Sequence, residues 1–205
     1  MYTPKNFEIT DTEVLHDLMR AHSFATIINI VDGAPFATHM PVVLDATRGM
    51  LRTHIARANP QWKQFSSDTE ILVIFQGDHS YISPNFYATH PSVPTWNYMT
   101  VHAYAKPRIL EQEGEVRNML LELVQEYEGA NGWDMNTLTA EFLHGMMKGI
   151  VAFELEITRL EGKFKLSQNR NQTDQHGVIA NLEVATRAEE RAVAEKMKQN
   201  LEPQK

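Results

Sequence analysis

The chain has 205 residues, a formal net charge of −7 at pH 7 and no cysteine. The lack of thiols excludes disulfides, thiolate metal sites and cysteine nucleophiles, and the acidic balance is unfavourable for a protein that grips DNA phosphates. No apolar run is long enough to span a membrane and the N-terminus has no apolar signal segment, so we expect a cytoplasmic protein without a membrane span or signal peptide.

Apolar runs predict mainly strands in the first half of the chain. Asp11 or Thr12 is a suitable N-cap for a short first helix, because apolar residues at helical spacing follow. Asp32-Gly33 lies between two β-rich runs and indicates a hairpin. The predicted strands cover residues 24–31, 36–44, 50–55, 71–75, 100–109 and 151–160, with 163–166 extending the last one after a turn at Glu161-Gly162.

Residues 76–98 are predicted to form a long irregular segment, since prolines and aromatic residues are scattered through them. Such a loop is usually functional or packed at an interface. Helices are predicted over 113–128, 135–147 and 183–201. Six or seven antiparallel strands with late helices indicate an α+β fold that is mainly β, a small barrel with flanking helices. We expect one domain over residues 1–180 and a C-terminal helical tail over 181–205.

The turn between the strand at 50–55 and the next predicted helix combines residues that bind anions. Asn59 is a good N-cap and Pro60 is favoured at the first helical position, so a helix is predicted to begin at about residue 60. Its free backbone N–H groups suit an anion, and His54, Arg57 and Lys63 add donors and charge around it. On spacing alone, a solvated helix start with scattered surface charges is the more common arrangement.

Two segments, 80–87 and 93–98, combine aromatic rings with small amides, hydroxyls and a proline. A flat ring such as that of Trp96 can flank a planar ligand, and Asn97 can address its polar edge. The same residue types are equally typical of a dimer interface. Farther on, Gln168 and Asn169 offer the donors and acceptors that an isoalloxazine ring edge requires, although a plain polar turn has the same composition.

The histidines and serines do not form a recognisable metal or hydrolase pattern. The nine histidines include no H-x-H or H-E-x-x-H spacing, so no metal site is predicted. A haem axial ligand among them is a minority alternative. Ser80 and Ser83 lie near Asp78 and His79, but without a nucleophile elbow this adjacency does not predict a triad.

Five short segments occur in one order along the chain. They are residues 1–7 (MYTPKNF), 54–60 (HIARANP), 81–87 (YISPNFY), 93–98 (VPTWNY) and 165–169 (KLSQN). Together they resemble the PaiB family of FMN-binding negative transcriptional regulators, and the resemblance covers about residues 1–180.

This resemblance implies an FMN-binding split β-barrel, similar to pyridoxamine 5′-phosphate oxidase, that forms a homodimer with FMN at the subunit interface. It implies that the strand at 38–43 runs beside the flavin and that the turn after residue 53 surrounds the phosphate. The implied cofactor-binding residues are Thr38, His39, Thr53, His54, Arg57, Asn59, Lys63, Trp96, Asn97 and Gln168, the last three from the second subunit.

Two function classes are open at this point. The family label implies a negative transcriptional regulator that uses FMN as a sensor or structural ligand and has DNA or a protein as partner. The alternative is an FMN-dependent oxidoreductase acting on a small molecule, in which the protein supplies orientation and electrostatics. The acidic charge and the lack of an obvious helix-turn-helix favour an enzyme or a protein-binding regulator over direct operator binding. A dimeric scaffold is a third, weaker interpretation.

Overall fold

The computed structural model describes residues 1–129 and 132–201, which belong to two compact units. Among the described residues, the terminal unit contains 1–15, 76–101 and 161–201, and the central unit contains 16–75, 102–129 and 132–160. The predicted division at residue 180 stays a prediction. Within the described ranges, no helix has both the length and the apolar character needed to cross a membrane.

The described chain contains eight strands and five α-helices. The strands are β1 (Glu8–Ile9), β2 (Phe24–Val31), β3 (Ala34–Pro41), β4 (Val43–Asp45), β5 (Met50–Ala56), β6 (Ile71–Ile82), β7 (Thr95–Ile109) and β8 (Ile150–Lys165). The helices are α1 (Thr12–Ala21), α2 (Glu113–Glu128), α3 (Ala140–Met147), α4 (Gln172–Glu183) and α5 (Ala188–Leu201). Short 3-10 helices cover Lys5–Phe7, Pro60–Gln64, Pro84–Phe86 and Met135–Thr137.

The central unit is built on a sheet with the strand order β3-β2-β6-β7-β8-β5-β4. The predicted hairpin is confirmed, since β2 and β3 pair antiparallel up to Val31 and Ala34. Asp32 and Gly33 between them have φ values of 51° and 81°, as a type I′ turn requires at both central positions. The fully buried core residues of this sheet include Ile27, Leu51, Val73, Phe75 and Phe153.

The terminal unit contains the remaining parts of β6, β7 and β8, and β1 pairs with β8. The helix α4, which the sequence analysis did not predict, is capped by Asn171, whose side chain accepts a hydrogen bond from the backbone of Asp174 over 2.8 Å. The predicted C-terminal helix begins at Ala188 rather than at residue 183. It buries the small apolar face formed by Val193, Ala194 and Met197, because it packs against α4.

Two predicted breaks in regular structure are wrong. The segment 76–98 is irregular only over 83–94, where the 3-10 helix Pro84–Phe86 lies, since β6 continues to Ile82 and β7 begins at Thr95. The turn at Glu161-Gly162 is absent, because β8 runs through it without interruption. Gly162 serves close packing instead, as a Cβ there would lie 2.2 Å from Leu15 Cδ2 and 3.0 Å from the carbonyl oxygen of Ile9. The helix 113–128 is confirmed, and the one at 135–147 divides into a 3-10 turn and α3.

Candidate functional site

Asn59 fastens the turn after β5 at two points. Its Oδ1 accepts a hydrogen bond from the backbone of Gln61 over 2.9 Å, as an N-cap does. Its Nδ2 donates to Thr38 Oγ1 on β3 over 3.0 Å. The helix that starts at Pro60 is a 3-10 helix of five residues. The dipole of so short a helix is small, so the affinity of this turn for an anion depends on its side chains.

Gln61, which the sequence analysis missed, anchors the same turn to the strands β2 and β3. It is fully buried, and its Nε2 donates to the carbonyl oxygens of Ile27 over 3.1 Å and Phe36 over 3.3 Å. Asn29 Nδ2 donates to the Gln61 carbonyl oxygen over 3.4 Å. These hydrogen bonds fix the orientations of the Asn29 and Gln61 side-chain amides. They leave Asn29 Oδ1 and Gln61 Oε1 buried without a partner among the described residues.

Arg57 is exposed, but two of its donors are already engaged. Nε donates to the carbonyl oxygen of Lys148 and Nη2 to that of Ile150, both over 2.7 Å. Trp62 Nε1 donates to the Arg57 carbonyl oxygen over 3.0 Å and closes the turn. These side chains line one wall of a cleft of about 470 Å³ that His144 also lines. Nη1 of Arg57 has no hydrogen-bond partner among the described residues, so it is free to meet a ligand.

The other predicted residues of this turn differ in accessibility. Thr53 is fully buried and its Oγ1 donates to the carbonyl oxygen of Pro41 over 2.6 Å, so it joins β5 to the end of β3. His54 is half-buried, and its Nδ1 is buried without a partner among the described residues. Burial lowers the pKa of His54, which makes its neutral form dominant at pH 7. Lys63 and His39 are exposed.

The three residues predicted to come from a second subunit all lie in the terminal unit, and their side chains have different roles. Trp96 is 50% exposed, with its ring centroid 6.0 Å from those of Tyr81 and His79. Asn97 is fully buried and exchanges hydrogen bonds with the Ser167 side chain at 3.0 and 3.2 Å. Gln168 closes the turn after β8 through two hydrogen bonds of 2.6 Å to main-chain atoms. Trp96 is the exposed one of the three, Gln168 is half-buried and Asn97 is buried.

Glu154 on β8 is a buried carboxylate held by three arginines of the central unit. Glu154 is 2% exposed. Its Oε1 accepts from Arg52 Nε over 2.9 Å and its Oε2 from Arg108 Nη2 over 2.6 Å, with Arg48 at 3.4 Å. Burial opposes ionisation, but the hydrogen bonds from Arg108 and Arg52 outweigh it and lower the pKa of Glu154.

The alternation of apolar and polar residues over 151–160 predicts a half-buried strand with Ala152 and Glu154 on the face away from the core, and this prediction is wrong in this region. Ala152 and Glu154 are buried as completely as Val151 and Phe153. The helix α2 covers this face, where Met119 and Leu123 pack with Leu110 and Ala152. A period of two in the sequence identifies alternating faces but not whether a helix covers the polar one.

Across residues 1–129 and 132–201, no three histidine or acidic side chains are grouped to hold a metal ion.

Comparison with known proteins gives one family and one fold. The family model described as "Putative FMN-binding domain" matches residues 1–159. The chain is 36% identical over 210 residues to the "Protease synthase and sporulation protein PAI 2" of Bacillus subtilis (strain 168), and the match covers 100% of both chains.

Two solved structures carry the same fold at low sequence identity. The flavocytochrome Anf3 from Azotobacter vinelandii matches with a TM-score of 0.62 at 15% identity, over 77% of this chain and 69% of that one. The FAD and heme binding protein from Mycobacterium smegmatis matches with a TM-score of 0.58 at 14% identity, over 77% and 73%. The predicted fold class, an α+β split barrel with flanking helices, is confirmed.

Proposed function

Because the chain belongs to the FMN-binding family whose model matches residues 1–159, of the PaiB type, we propose that it binds FMN and holds the phosphate at the turn from residue 54 to 63. The observation that supports this most directly is the attachment of Asn59 to Thr38. That hydrogen bond fixes a short, cation-bearing turn beside β3. The exposed cations Arg57 and Lys63 flank the turn, and neither forms an ion pair with a described carboxylate.

The donors of this turn fit a phosphate. Arg57 offers Nη1, and the bonds of its other nitrogens to two carbonyl oxygens hold the guanidinium in one place. A guanidinium–phosphate hydrogen bond is charge-assisted and stronger than a neutral one. His54 Nδ1, buried and without a described partner, is a further group that a bound ligand can satisfy.

We also propose that two copies of the chain assemble with the flavin between them. The face shared by β2 and β3 supports this assembly, since Phe24 is 68% and Ile30 is 55% exposed there. Strand pairing places Phe24 opposite Pro41 and Ile30 opposite Pro35, so apolar side chains continue across both strands. Exposed apolar patches of this kind mark interaction surfaces. The strand predicted to run beside the flavin, residues 38–43, overlaps β3, which is one of the two strands of this face.

Native mass spectrometry of the purified protein with added FMN tests this assembly. The proposal predicts a species of two chains and two FMN molecules. A species with one chain and no FMN, at protein and flavin concentrations in the micromolar range, would contradict it.

The proposed role is that of an FMN-dependent negative transcriptional regulator in the cytoplasm. The full-length match to a Bacillus subtilis protein named for protease synthesis and sporulation supports this role. The flavin then acts as a sensor or a structural ligand. Sequence-specific retardation of DNA at physiological salt, or capture of a defined protein partner that blocks transcription, is the expected result.

A second candidate is an FMN-dependent oxidoreductase. The net charge of −7 favours it, because phosphate contacts dominate the affinity of proteins for DNA. FMN would supply the electron transfer when bound. Anaerobic bleaching of the flavin absorbance by NADH or NADPH, with turnover on re-oxidation and no DNA retardation, would select the enzyme over the regulator.

A further inference from the structure

The cleft that Arg57 and His144 line is formed by residues of the central unit alone and has a largely apolar lining. Its volume of about 470 Å³ is within the range of about 300–1,000 Å³ that is usual for pockets that bind small molecules. The apolar residues of the lining lie around the end of β7, on α2 and α3 and at the start of β8. They are Ile109, Leu110, Val116, Met147, Val151 and Ala152. A ligand in this cleft therefore contacts mainly aliphatic side chains.

The elements that border the cleft are attached to one another. Glu113 Oε1 on α2 lies 3.2 Å from His144 Nδ1 on α3, and this contact joins two helices that line the cleft. Arg57 donates from Nε and Nη2 to the carbonyl oxygens of Lys148 and Ile150 over 2.7 Å. These two hydrogen bonds fix the short segment between α3 and β8. The cleft is therefore present in the folded chain before any ligand binds.

Two charged side chains of the lining have no partner of opposite charge in the described chain. Lys148 directly follows α3 and Glu111 lies between β7 and α2, and both residues are exposed. Neither side chain forms an ion pair or a hydrogen bond with a described residue. The other acid of the lining, Glu113, is already in contact with His144. Lys148 and Glu111 thus border one cleft without neutralising each other.

A ligand that carries both charges and an apolar body matches this arrangement. Its carboxylate meets Lys148 and its ammonium meets Glu111, so neither charge of the ligand is left unpaired when it leaves water. Its apolar body removes water from the aliphatic lining, which is favourable. An anion without an ammonium would be repelled by Glu111, and a cation without a carboxylate would be repelled by Lys148.

We propose that this cleft binds an α-amino acid with a large apolar side chain, in its zwitterionic form. The flexible stem of Lys148 allows its ammonium to approach a carboxylate that lies next to an amino group, as in every α-amino acid. Arg57 borders both this cleft and the turn proposed for the FMN phosphate, but the amino acid uses Lys148 and Glu111 and leaves Arg57 Nη1 to the phosphate. The two ligands are therefore expected to bind at once, and the amino acid does not require FMN.

Isothermal titration with L-phenylalanine and three analogues tests this site in FMN-free and FMN-saturated protein. 3-Phenylpropionate lacks the ammonium, 2-phenylethylamine lacks the carboxylate, and glycine lacks the apolar side chain. L-Phenylalanine is expected to bind at least tenfold more tightly than each analogue in both states of the protein. The titration without FMN tests the cleft independently of the proposed cofactor.

Three results of these titrations would overturn the proposal. The first is no binding of L-phenylalanine at millimolar concentration. The second is equal binding of L-phenylalanine and any of the three analogues, because one of the charges or the apolar lining would then have no role. The third is displacement of L-phenylalanine by FMN, because the cleft would then belong to the flavin site.

Two variants assign the charges to these residues. Lys148→Met is expected to weaken L-phenylalanine binding at least tenfold without weakening that of 2-phenylethylamine, which has no carboxylate. Glu111→Gln should weaken L-phenylalanine as much without weakening 3-phenylpropionate, and it tests the site if Lys148→Met does not fold. Lys106→Met is the control, since Lys106 is an exposed lysine of the same unit outside the cleft lining, and it should change none of these affinities. Unchanged L-phenylalanine binding in either folded variant of the cleft overturns the assignment.

Discussion

Asn59 donates a hydrogen bond of 3.0 Å from its side-chain amide to the hydroxyl of Thr38. The two residues lie 21 positions apart in sequence, one in the turn after β5 and the other on β3. This contact fixes where the turn that carries Arg57 and Lys63 lies on the central sheet. It therefore joins Thr38 on β3 to the turn after β5, which the sequence analysis grouped together only through the family resemblance.

Two substitutions of Asn59 distinguish the effects of its two side-chain hydrogen bonds, one to the backbone of Gln61 and one to Thr38. Asn59→Ala removes the N-cap of the 3-10 helix and the bond to Thr38, so we expect a loss of about 1 kcal/mol in the free energy of unfolding together with weaker FMN binding. Asn59→Asp keeps the acceptor for the backbone of Gln61 but loses the donor. It should retain most of the stability and still bind FMN more weakly, because a carboxylate repels the phosphate. Urea unfolding and flavin fluorescence titration measure the two effects; equal FMN affinity in all three proteins would exclude Asn59 from the site.

The exposed face of β2 and β3 is predicted to hold the dimer together. Phe24→Asp or Ile30→Asp places a charge where we expect buried apolar contact, so each variant should shift the protein from dimer to monomer in sedimentation analysis. Val184→Asp is the matched control, since Val184 is also an exposed apolar residue, at 82%, but lies outside this face. Dimers that withstand both substitutions on β2 would rule out this face as the interface.

The lowered pKa of Glu154 predicts that the free energy of unfolding depends on pH. Hydrogen bonds from Arg108 and Arg52, against the opposing effect of burial, put the folded-state pKa of Glu154 below its ordinary value of 4.5. Its contribution to stability is therefore complete above that value and is lost as the pH falls through the folded pKa. Glu154→Gln should cost about 3 kcal/mol at pH 7, and the difference from the unmodified protein should shrink as the pH falls toward 3.

The exposed Glu141 provides the control for this measurement. Glu141→Gln should change the free energy of unfolding by less than about 0.5 kcal/mol at every pH. A Glu154→Gln protein whose loss of stability does not change with pH would contradict the proposed ionisation.

The sequence was sufficient for elements whose signals are local. The hairpin at Asp32-Gly33 requires positive φ at two positions, and Asn59-Pro60 has the cap and first-turn residues of a helix start, so both were predicted at the right place. Features that depend on distant partners were missed. The burial of Glu154 needs α2 and arginines that lie between 46 and 106 residues away, and no periodicity along β8 reveals them.

Side-chain roles within the candidate site were the least predictable. Asn97 and Gln168 are amides of the kind that address a ring edge, but their hydrogen bonds go to Ser167 and to main-chain atoms within the terminal unit. Gln61 was not singled out, because a glutamine after a proline carries no signal of burial. Its Nε2 finds two carbonyl oxygens on β2 and β3 only in the folded chain.

His54 is expected to report on phosphate binding. Burial lowers the pKa of its imidazole below the ordinary value of 6.5, so it is neutral at pH 7 in the free protein. A phosphate dianion nearby favours the charged form, and FMN should therefore raise this pKa. Proton NMR titration of the His54 ring with and without FMN checks the direction, with the exposed His176 as the internal reference. A pKa that stays the same or falls on FMN binding would place the phosphate elsewhere.

The most direct measurement of the central claim compares FMN with riboflavin, which lacks the phosphate, in fluorescence titrations of the unmodified protein and Arg57→Ala. Hydrogen bonds to charged groups contribute about 1.5–3 kcal/mol, so the unmodified protein should prefer FMN by at least tenfold, and Arg57→Ala should lose about that much FMN affinity while its riboflavin affinity stays unchanged. The exposed Arg20 gives the control substitution, Arg20→Ala, which should alter neither affinity. Equal affinity of the unmodified protein for the two flavins, or the same preference for FMN in Arg57→Ala, would contradict a phosphate site at this turn.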